Sequence, residues 1–297
     1  MEQMLRGCTM CPHRCRVNRF EKVGRCKAGA NVKVALVNTH DYEEPPISGK
    51  NGSGTIFFVG CNLSCVYCQN HEISQKMYGK EITVERLADI MLEQQKRGVH
   101  NINLVTPTIY AYQIKEAIKL ARKKGLNIPI VYNTSGYESV ETLKALEGYI
   151  DIYLPDFKYF DDNLGEKYSN IKEYSKYVKE ALIEMRRQTK DTFNKNGIMQ
   201  SGLIVRHMIL PNHIENTKCV IKWIKDNLGE NTIISIMAQY FPTHKANEYS
   251  KINRKLVKEE LEQVEDCLFE LNMINGYIQE LGEHEEEYVP EFNLDNV

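Results

Sequence analysis

Apolar runs and amphipathic stretches alternate along the centre of this chain. The apolar runs predict six strands, at residues 55–59, 102–105, 129–132, 150–154, 203–210 and 233–238. The stretches between them carry apolar residues at helical spacing and predict helices over 83–97, 111–124, 139–147, 173–188 and 216–227, with a longer one over 249–271. This alternation predicts parallel strands joined by right-handed crossovers.

Polar residues at the strand ends favour one of two folds. Doubly wound sheets and (β/α) barrels both produce the alternation. Each predicted strand is followed by polar residues with no evident structural role, and a (β/α) barrel gathers its active site there. We therefore predict an α/β barrel over residues 55–245. We predict a cysteine-rich module over residues 1–38 and a linker over 39–54, which contains Pro45-Pro46. Residues 246–297 are predicted to form a helix and an acidic tail, with the solvated acidic segment at 280–287.

The composition argues against several classes of protein. With 38 basic and 40 acidic residues, the charge balance makes nucleic acid an unlikely partner and gives no reason to expect a membrane. The chain has no apolar stretch of bilayer length, and its first residues lack the apolar run of a signal peptide. We expect a cytoplasmic protein. Seven of the nine cysteines fall in two tight groups, which indicates metal ligation. Cys219 and Cys267 are expected in the core.

Cys61, Cys65 and Cys68 form a C-x3-C-x2-C triplet directly after the first predicted strand. A four-iron cubane takes one ligand per iron, so three thiolates leave one iron open to a substrate or a second cofactor. The alternative is a zinc site, which requires a fourth ligand. His71 is the nearby candidate for that role. The spacing favours an iron–sulfur enzyme.

The triplet, with Tyr67 at the aromatic position before its last cysteine, resembles the radical S-adenosylmethionine (SAM) superfamily. The resemblance implies a partial (β/α)6 TIM-like barrel and a [4Fe-4S] cluster whose open iron is chelated by SAM. It also implies one-electron cleavage of SAM to a 5′-deoxyadenosyl radical that abstracts hydrogen. The similarity extends over about residues 54–245. The N-terminal cysteine segment favours the branch related to the pyruvate formate-lyase activating enzyme.

The resemblance suggests roles for residues at the ends of the first three strands. Tyr67 is expected beside the adenine or, alternatively, in the core. Thr106, Pro107 and Thr108 stand where many relatives have a Gly-Gly-Glu-Pro-like turn that meets the SAM amino group, although a strand-terminating turn explains Pro107 equally well. Asn133 and Ser135 either bind ribose hydroxyls or cap the next helix.

Charged residues mark the fourth and fifth strands. Asp156 and Lys158 resemble the Asp-x-Lys of the activating enzyme and are the expected catalytic pair, with a plain ion pair as the alternative; their spacing directs both to one side. Arg206 interrupts an apolar strand, where a buried guanidinium requires a partner. The SAM carboxylate fits its geometry. His207 is expected to face the other way, against a helix. After the sixth strand, Gln239 and Tyr240 are expected near the adenine or the substrate.

Cys8, Cys11, Cys15 and Cys26 supply four thiolates in the N-terminal module. Three occupants fit them: a mononuclear iron in a rubredoxin-like site, a structural zinc, or an auxiliary four-iron cluster. Basic residues surround the module and exceed the negative charge of such a site. The surplus predicts docking of an acidic electron donor such as a flavodoxin or ferredoxin. These cations are Arg6, Arg14, Arg16, Arg19, Lys22, Arg25 and Lys27.

Taken together, the residues and the resemblance predict a radical SAM enzyme. Its expected target is a glycine in a partner enzyme, with a small molecule or another protein as alternatives. The lack of a basic face weakens a tRNA substrate. A non-catalytic iron–sulfur electron-transfer protein is the contrasting hypothesis. Residues 69–82 contain no cysteine, so we expect the N-terminal module to relay electrons.

Overall fold

The computed structural model describes residues 2–282 and 290–297. Its strands are β1 Val32–His40, β2 Ser53–Phe58, β3 Lys80–Ile82, β4 Ile102–Val105, β5 Ile130–Thr134, β6 Ile152–Pro155, β7 Thr192–Phe193, β8 Met199–Met208, β9 Ile233–Met237 and β10 Gly276–Ile278. Its α-helices are α1 Glu2–Arg6, α2 Pro45–Ser48, α3 His71–Ser74, α4 Val84–Lys96, α5 Ala111–Lys123, α6 Val140–Leu146, α7 Asp162–Ser169, α8 Tyr174–Gln188, α9 Ile214–Leu228 and α10 Lys258–Glu270.

The strands form one sheet in the order β10-β9-β8-β6-β5-β4-β2-β1-β3, with β7 paired to β8. Neighbours from β2 to β10 are parallel. At the other edge β1 is antiparallel to β2, and β3 is antiparallel to β1. In the described part of the chain β3 and β10 are unpaired edges, so the barrel is open. The predicted partial (β/α)6 barrel is confirmed, with β1, β3, β7 and β10 as additions.

The helices form where apolar residues recur at helical spacing. In α5 the residues Ile114, Ala117, Ile118 and Ala121 are fully buried on one face. Each buried isoleucine side chain contributes about 2 kcal/mol by leaving water. The α4 helix begins at Thr83, whose hydroxyl accepts a hydrogen bond from the Arg86 amide at 3.1 Å. The amphipathic pattern therefore accounts for the helical layer around the sheet.

Residues 39–54 are an integral part of the barrel, whereas the sequence predicts a linker. Strand β1 runs across the predicted boundary at residue 38, and α2 follows within the segment. Ile47 is fully buried against inward-facing residues of β5, β6, β8 and β9. The Asn101 side chain donates to the Ile47 carbonyl at 2.8 Å. Because β1 is antiparallel to β2, this β1–β2 connection closes the amino-terminal end of the parallel strands.

The carboxyl-terminal region differs from its prediction at one boundary. The helix predicted from residue 249 begins as α10 at Lys258, since Arg254 turns back to pair with Glu260 at 2.7 Å. Residues 290–297 lie against β1, where the Val37 amide donates to the Asp295 carbonyl at 3.1 Å. Residues 283–287 of the predicted acidic tail lie outside the described residues.

Candidate functional site

A cavity of about 490 Å³ occupies the barrel interior and opens at the carboxyl ends of the strands. Pockets of this size commonly hold small ligands. Eleven residues predicted for the site from the sequence line it: Cys61, Cys65, Tyr67, Cys68, Thr106, Asn133, Ser135, Asp156, Lys158, Arg206 and Gln239.

The cysteine loop leaves β2 through Gly60, whose φ of +91° favours glycine. A Cβ at Gly60 would lie 2.8 Å from the Cys26 carbonyl oxygen and 2.9 Å from the Ile109 side chain. Gly60 is therefore required by the contact between the two cysteine groups.

The three thiols of the loop have weak partners. The Leu63 amide donates to Cys61 Sγ at 3.3 Å. Cys65 Sγ lies 2.9 Å from Ser169 Oγ, and Cys68 Sγ lies 3.3 Å from Ser74 Oγ. Burial raises the pKa of the Cys65 thiol to about 11, while the Lys158 ammonium acts to lower it. Donors of this kind stabilise metal-bound thiolates.

The three thiols can supply three of the four ligands of a four-iron cubane. A four-iron cubane spreads its ligands around a larger body than a single ion. Cys61, Cys65 and Cys68 share one cavity wall, and of the described residues they are the cysteines that line it.

The turn after β4 has an unusual backbone. Thr106 has φ of +62°, a strained conformation for a β-branched residue. Thr108 does not reach the cavity as predicted, because its hydroxyl is buried against Thr134 and Glu138. Pro107 is buried beside it and is also absent from the cavity wall. Of this turn, Thr106 lines the cavity.

Four charged side chains form a continuous chain along the cavity. Lys158 Nζ lies 2.7 Å from Asp156 Oδ2, and Arg206 Nε lies 3.0 Å from Asp156 Oδ1. Arg206 also pairs with Glu43 at 3.2 Å and donates to Asn133 Oδ1 at 2.6 Å. Burial opposes ionisation of Asp156, but Lys158 and Arg206 outweigh it and hold its pKa below the usual value.

Arg206 therefore has protein partners, whereas the sequence assigns it to the SAM carboxylate. Its guanidinium lies between two carboxylates, and these raise its pKa although burial acts to lower it. Lys158 lies at the other end of the chain and interacts electrostatically with the Cys65 thiol. Asp156 and Lys158 form an ion pair, which is the alternative role that the sequence allows for them.

The remaining predicted residues combine structural contacts with access to the cavity. Tyr67 is buried, and its hydroxyl bonds to that of Tyr159, yet part of it lines the cavity. Ser135 Oγ lies 3.3 Å from Asn62 Oδ1. Gln239 accepts from Gln279 at 3.2 Å. Tyr240 does not line the cavity, because its hydroxyl donates to the Ile252 carbonyl at 2.6 Å.

Two predictions about residues outside the cavity can also be compared with the structure. His207 faces away from it and lies 2.9 Å from Thr217 on α9, as expected. Cys267 is buried, but Cys219 is exposed, so its prediction as a core residue is wrong. Its position on α9 lies one residue before the buried stripe that includes Val220 and Ile221.

Sequence reasoning missed Glu43 and Glu44. Both line the cavity from the β1–β2 connection. Glu43 accepts from Asn103 at 2.9 Å and Asn133 at 3.3 Å. The sequence signal for these residues was an acidic pair directly before Pro45-Pro46. Such a pair is equally typical of a polar linker.

The four N-terminal cysteines surround a second, small cavity of about 10 Å³. Arg14, Arg16 and Lys27, which flank Cys15 and Cys26, have positive φ values of 42°, 54° and 59°, so the chain turns sharply at the cysteines. The thiols do not converge on a single-ion position. The ligand type suits iron or zinc, but the geometry does not show either.

The N-terminal module packs directly on the cysteine loop of the barrel. His13 Nε2 lies 2.7 Å from the Asn62 carbonyl oxygen, and Lys27 Nζ donates to the Gln75 carbonyl at 3.1 Å. Arg19 is buried and donates to the Ile109 carbonyl at 2.5 Å. Arg19 is therefore a structural residue and does not belong to the predicted docking surface.

Two sequence comparisons place this site among known proteins. The Radical SAM superfamily matches residues 55–224. The uncharacterized protein MJ0674 of Methanocaldococcus jannaschii is 33% identical over 285 residues, which cover 92% of this chain and 77% of that protein. The pyruvate formate-lyase-activating enzyme of Clostridium pasteurianum is 25% identical over 122 residues, which cover 39% of this chain and 50% of the enzyme.

Solved structures show the same fold. Streptococcus suis SuiB bound to S-adenosylmethionine has a TM-score of 0.53 at 16% identity, covering 77% of this chain and 50% of SuiB. The FeFe-hydrogenase maturase HydG of Carboxydothermus hydrogenoformans has a TM-score of 0.51 at 12% identity, covering 77% of this chain and 53% of HydG. The chain thus spans about half the length of these two structures.

Two further findings complete the comparison. None of the described helices combines the length and apolar character needed to cross a membrane. The superfamily match begins in β2 and includes the cysteine triplet and the strands around the cavity as far as β8. Since this match covers more than half of the sequence, the chain belongs to the radical SAM superfamily.

Proposed function

We propose that Cys61, Cys65 and Cys68 hold a [4Fe-4S] cluster at the rim of the cavity and that hydrogen abstraction from a substrate takes place inside it. Superfamily membership implies the cluster, SAM and SAM-dependent radical chemistry. The observation that carries the residue assignment is that the three thiols open into one cavity of about 490 Å³. The chemistry that bound cluster and SAM supply is one-electron cleavage of the sulfonium, which yields a carbon radical.

The residues around the thiols have distinct proposed roles. Lys158 offsets thiolate charge, and its interaction with Cys65 supports it as the partner of the SAM carboxylate. Asp156 holds Lys158 in position through their 2.7 Å ion pair. The strained turn at Thr106 offers backbone groups to the SAM amino group. Asn133 and Ser135 face the ribose, and Tyr67 and Gln239 the adenine, because all four line the same cavity.

Product analysis tests the proposal. Anaerobically reconstituted protein, reduced with dithionite in the presence of SAM, should release methionine and 5′-deoxyadenosine. The Cys65→Ala variant should release neither and lose the iron and sulfide of the barrel cluster. Cys219→Ala is the matched control, since Cys219 is exposed and lies outside both cysteine groups. Wild-type protein with an intact cluster and no 5′-deoxyadenosine would contradict the proposal and support a pure electron carrier.

The target proposed for the radical is a glycine in a partner enzyme. Similarity to an activating enzyme from Clostridium pasteurianum over 122 residues supports this. Incubation of the reduced protein and SAM with a candidate glycyl radical enzyme should produce a glycine-centred radical signal in electron paramagnetic resonance. A free small molecule as hydrogen donor is the alternative, and the size of the cavity favours it.

The N-terminal cysteines are proposed to bind a second metal centre, iron or zinc. Support comes from the shared cavity of Cys8, Cys11, Cys15 and Cys26 and from their contact with the barrel loop. If the metal is iron, the centre can pass electrons from a flavodoxin or ferredoxin to the cluster.

Metal analysis distinguishes the occupants of this site. After anaerobic purification, a Cys8→Ser/Cys11→Ser variant should retain about four iron and four sulfide per chain in the barrel and lose one iron or one zinc. Loss of further inorganic sulfide would indicate an auxiliary cluster. Metal content unchanged from wild type would contradict a metal centre at these cysteines.

A further inference from the structure

The cavity has an acidic end opposite its cysteine rim. The cysteine loop follows β2 and lies at the carboxyl ends of the parallel strands, whereas Glu43 and Glu44 belong to the β1–β2 connection at their amino ends. The ion pairs agree with this order, since they run from Lys158, whose pKa the Cys65 thiol influences, through Asp156 and Arg206 to Glu43. We call the part lined by Glu43, Glu44, Ser235 and Tyr277 the acidic floor.

The acidic side chains along the cavity outnumber the cationic ones, and burial raises the pKa of two of them, Glu43 and Glu44. Three carboxylates line it, those of Glu43, Glu44 and Asp156, against the two cations Lys158 and Arg206. His40 also lines the cavity, but burial lowers its pKa and keeps it neutral near pH 7. Both cations pair with Asp156, and Arg206 pairs additionally with Glu43. Glu44 is the carboxylate left without an ion pair of its own among the described residues.

Glu44 also has an unused hydrogen-bond acceptor. Its residue is 8% exposed, and its Oε2 is buried without a partner in the described structure. The backbone holds it in place, because the Ile47 amide donates to the Glu44 carbonyl at 2.7 Å. Burial raises the pKa of Glu44, and the nearby Arg206 guanidinium acts to lower it. A hydrogen bond with the Ser235 side chain also acts to lower this pKa, so the unmet need is that of Oε2, and a buried carboxylate oxygen without a donor or a cation is costly.

We propose that the acidic floor binds a cationic nitrogen of the substrate, a primary ammonium or a guanidinium, with Glu44 as its specific partner. This rests on the proposed function, because the hydrogen to be abstracted would then lie between the floor and the rim. Above the floor, Gln279 Oε1 is a second buried acceptor without a partner in the described structure, and it lines the same cavity. The substrate class is thus a small organic cation or the side chain of an arginine or lysine.

Binding measurements on the complete protein test this without relying on turnover. Reconstituted protein with SAM and no reductant is titrated with 1-butylguanidinium and with butylurea, its neutral isostere. Wild type should bind the cation about tenfold or more tightly, as expected for a buried hydrogen bond to a charged group. Glu44→Gln should abolish the preference. Glu85→Gln is the control, since Glu85 is an exposed acid on α4 and should leave it intact.

A second arm identifies the source of the cation. N-acetyl-Gly-Arg-Gly-amide and its citrulline analogue are titrated in the same way. Preference for the arginine peptide without preference for butylguanidinium supports a protein side chain, and the reverse supports a small molecule. Equal binding of charged and neutral probes by wild type in both arms would overturn the proposal, as would a full preference retained in Glu44→Gln. 5′-Deoxyadenosine formation is measured separately, so failure of the radical chemistry is seen independently of failure at the floor.

Discussion

Arg206 has partners within the protein, and its pairing with the SAM carboxylate stays a prediction. A buried arginine in an apolar strand requires an acceptor, and the sequence offers SAM as one. The β1–β2 connection brings Glu43 into the barrel as another, and Arg206 bridges it to Asp156 at 3.2 and 3.0 Å. The partner comes from a segment that is distant in sequence, so no local pattern could reveal it.

The stability of the protein should therefore depend on Arg206 before any ligand binds. Arg206→Leu leaves the buried Glu43 carboxylate without an ion pair, while Asp156 keeps Lys158, and should lower the free energy of unfolding by about 3–5 kcal/mol. Arg206→Lys keeps the charge but cannot reach Asp156, Glu43 and Asn133 at once as the guanidinium does, so a smaller loss is expected. Urea denaturation of the anaerobic protein without SAM measures both. Variants that weaken SAM binding but unfold like wild type would instead favour the SAM carboxylate as the main partner.

Glu138 is a buried acid outside the cavity whose ionisation should appear in the pH dependence of stability. Burial raises its pKa to about 7, against the opposing hydrogen bonds of Thr108, Thr134 and Tyr132. A folded-state pKa above the unfolded value of 4.5 means that its stabilising contribution is complete below about pH 4.5 and is lost as the pH rises through 7. The loss amounts to about 3 kcal/mol.

Glu138→Gln should remove this pH dependence, because the amide stays neutral. Relative to wild type, the apparent melting temperature of the variant should rise progressively between about pH 5 and pH 8. Differential scanning fluorimetry across that range provides the measurement. A constant difference at all pH values would show that Glu138 does not titrate in the folded protein.

At the scale of elements, the sequence predicts what short-range patterns determine. The run Ile102–Val105 coincides with β4 because a short, mostly apolar run flanked by polar residues fits a strand buried on both faces, although it includes the buried Asn103. The short helix α7 was not predicted, because it lacks the long apolar stripe of a helix such as α5. Its start is marked by its N-cap, where the Asp161 side chain accepts a hydrogen bond from the Asn163 amide. The β1–β2 connection was missed because its apolar content is one residue, Ile47, whose burial depends on four distant strands.

The same limit applies to the candidate site. Its cysteines, Asp156 and Lys158 are predictable since they follow strands of a recognisable barrel. The direction of the Thr108 side chain is not predictable, because its hydroxyl donates to the buried Glu138 carboxyl, away from the cavity. The position of Glu44 in the cavity wall depends on a tertiary contact of the β1–β2 connection, which the sequence does not reveal. Residues contributed by the six barrel strands were accessible to sequence reasoning, and residues contributed by the connection that closes the barrel were not.

The junction between the two cysteine groups should depend on Gly60. Gly60→Ala places a methyl group 2.8 Å from the Cys26 carbonyl oxygen in a backbone conformation that alanine rarely adopts. Displacement of both loops should lower the metal content of both sites. Gly125→Ala is the matched control, since Gly125 has a similar φ of +102° and open space around its Cα. Equal metal content in the two variants would show that the close contact is unimportant.

At the scale of the whole molecule, the two cysteine groups lie at the same end of the barrel and the acidic floor at the other. The N-terminal module joins the rim through His13 and Asn62, so an electron donor that binds the module lies near the cluster loop. Arg16 and Lys22 are exposed there, whereas the buried Arg19 cannot contribute. We therefore propose these exposed cations as the docking surface for an acidic donor.

Charge reversal at this surface should slow reduction by a protein donor specifically. Arg16→Glu/Lys22→Glu should reduce the rate of cluster reduction by flavodoxin about tenfold at low ionic strength, and the difference should shrink as salt screens the charges. Reduction by dithionite should not change, because a small reductant does not need the surface. Lys123→Glu/Lys190→Glu is the control pair, since both lysines are exposed at the opposite end of the barrel, where Lys123 ends α5 and Lys190 follows α8. Equal slowing by both charge-reversed pairs would indicate a general effect of net charge and would remove the argument for docking at the N-terminal module.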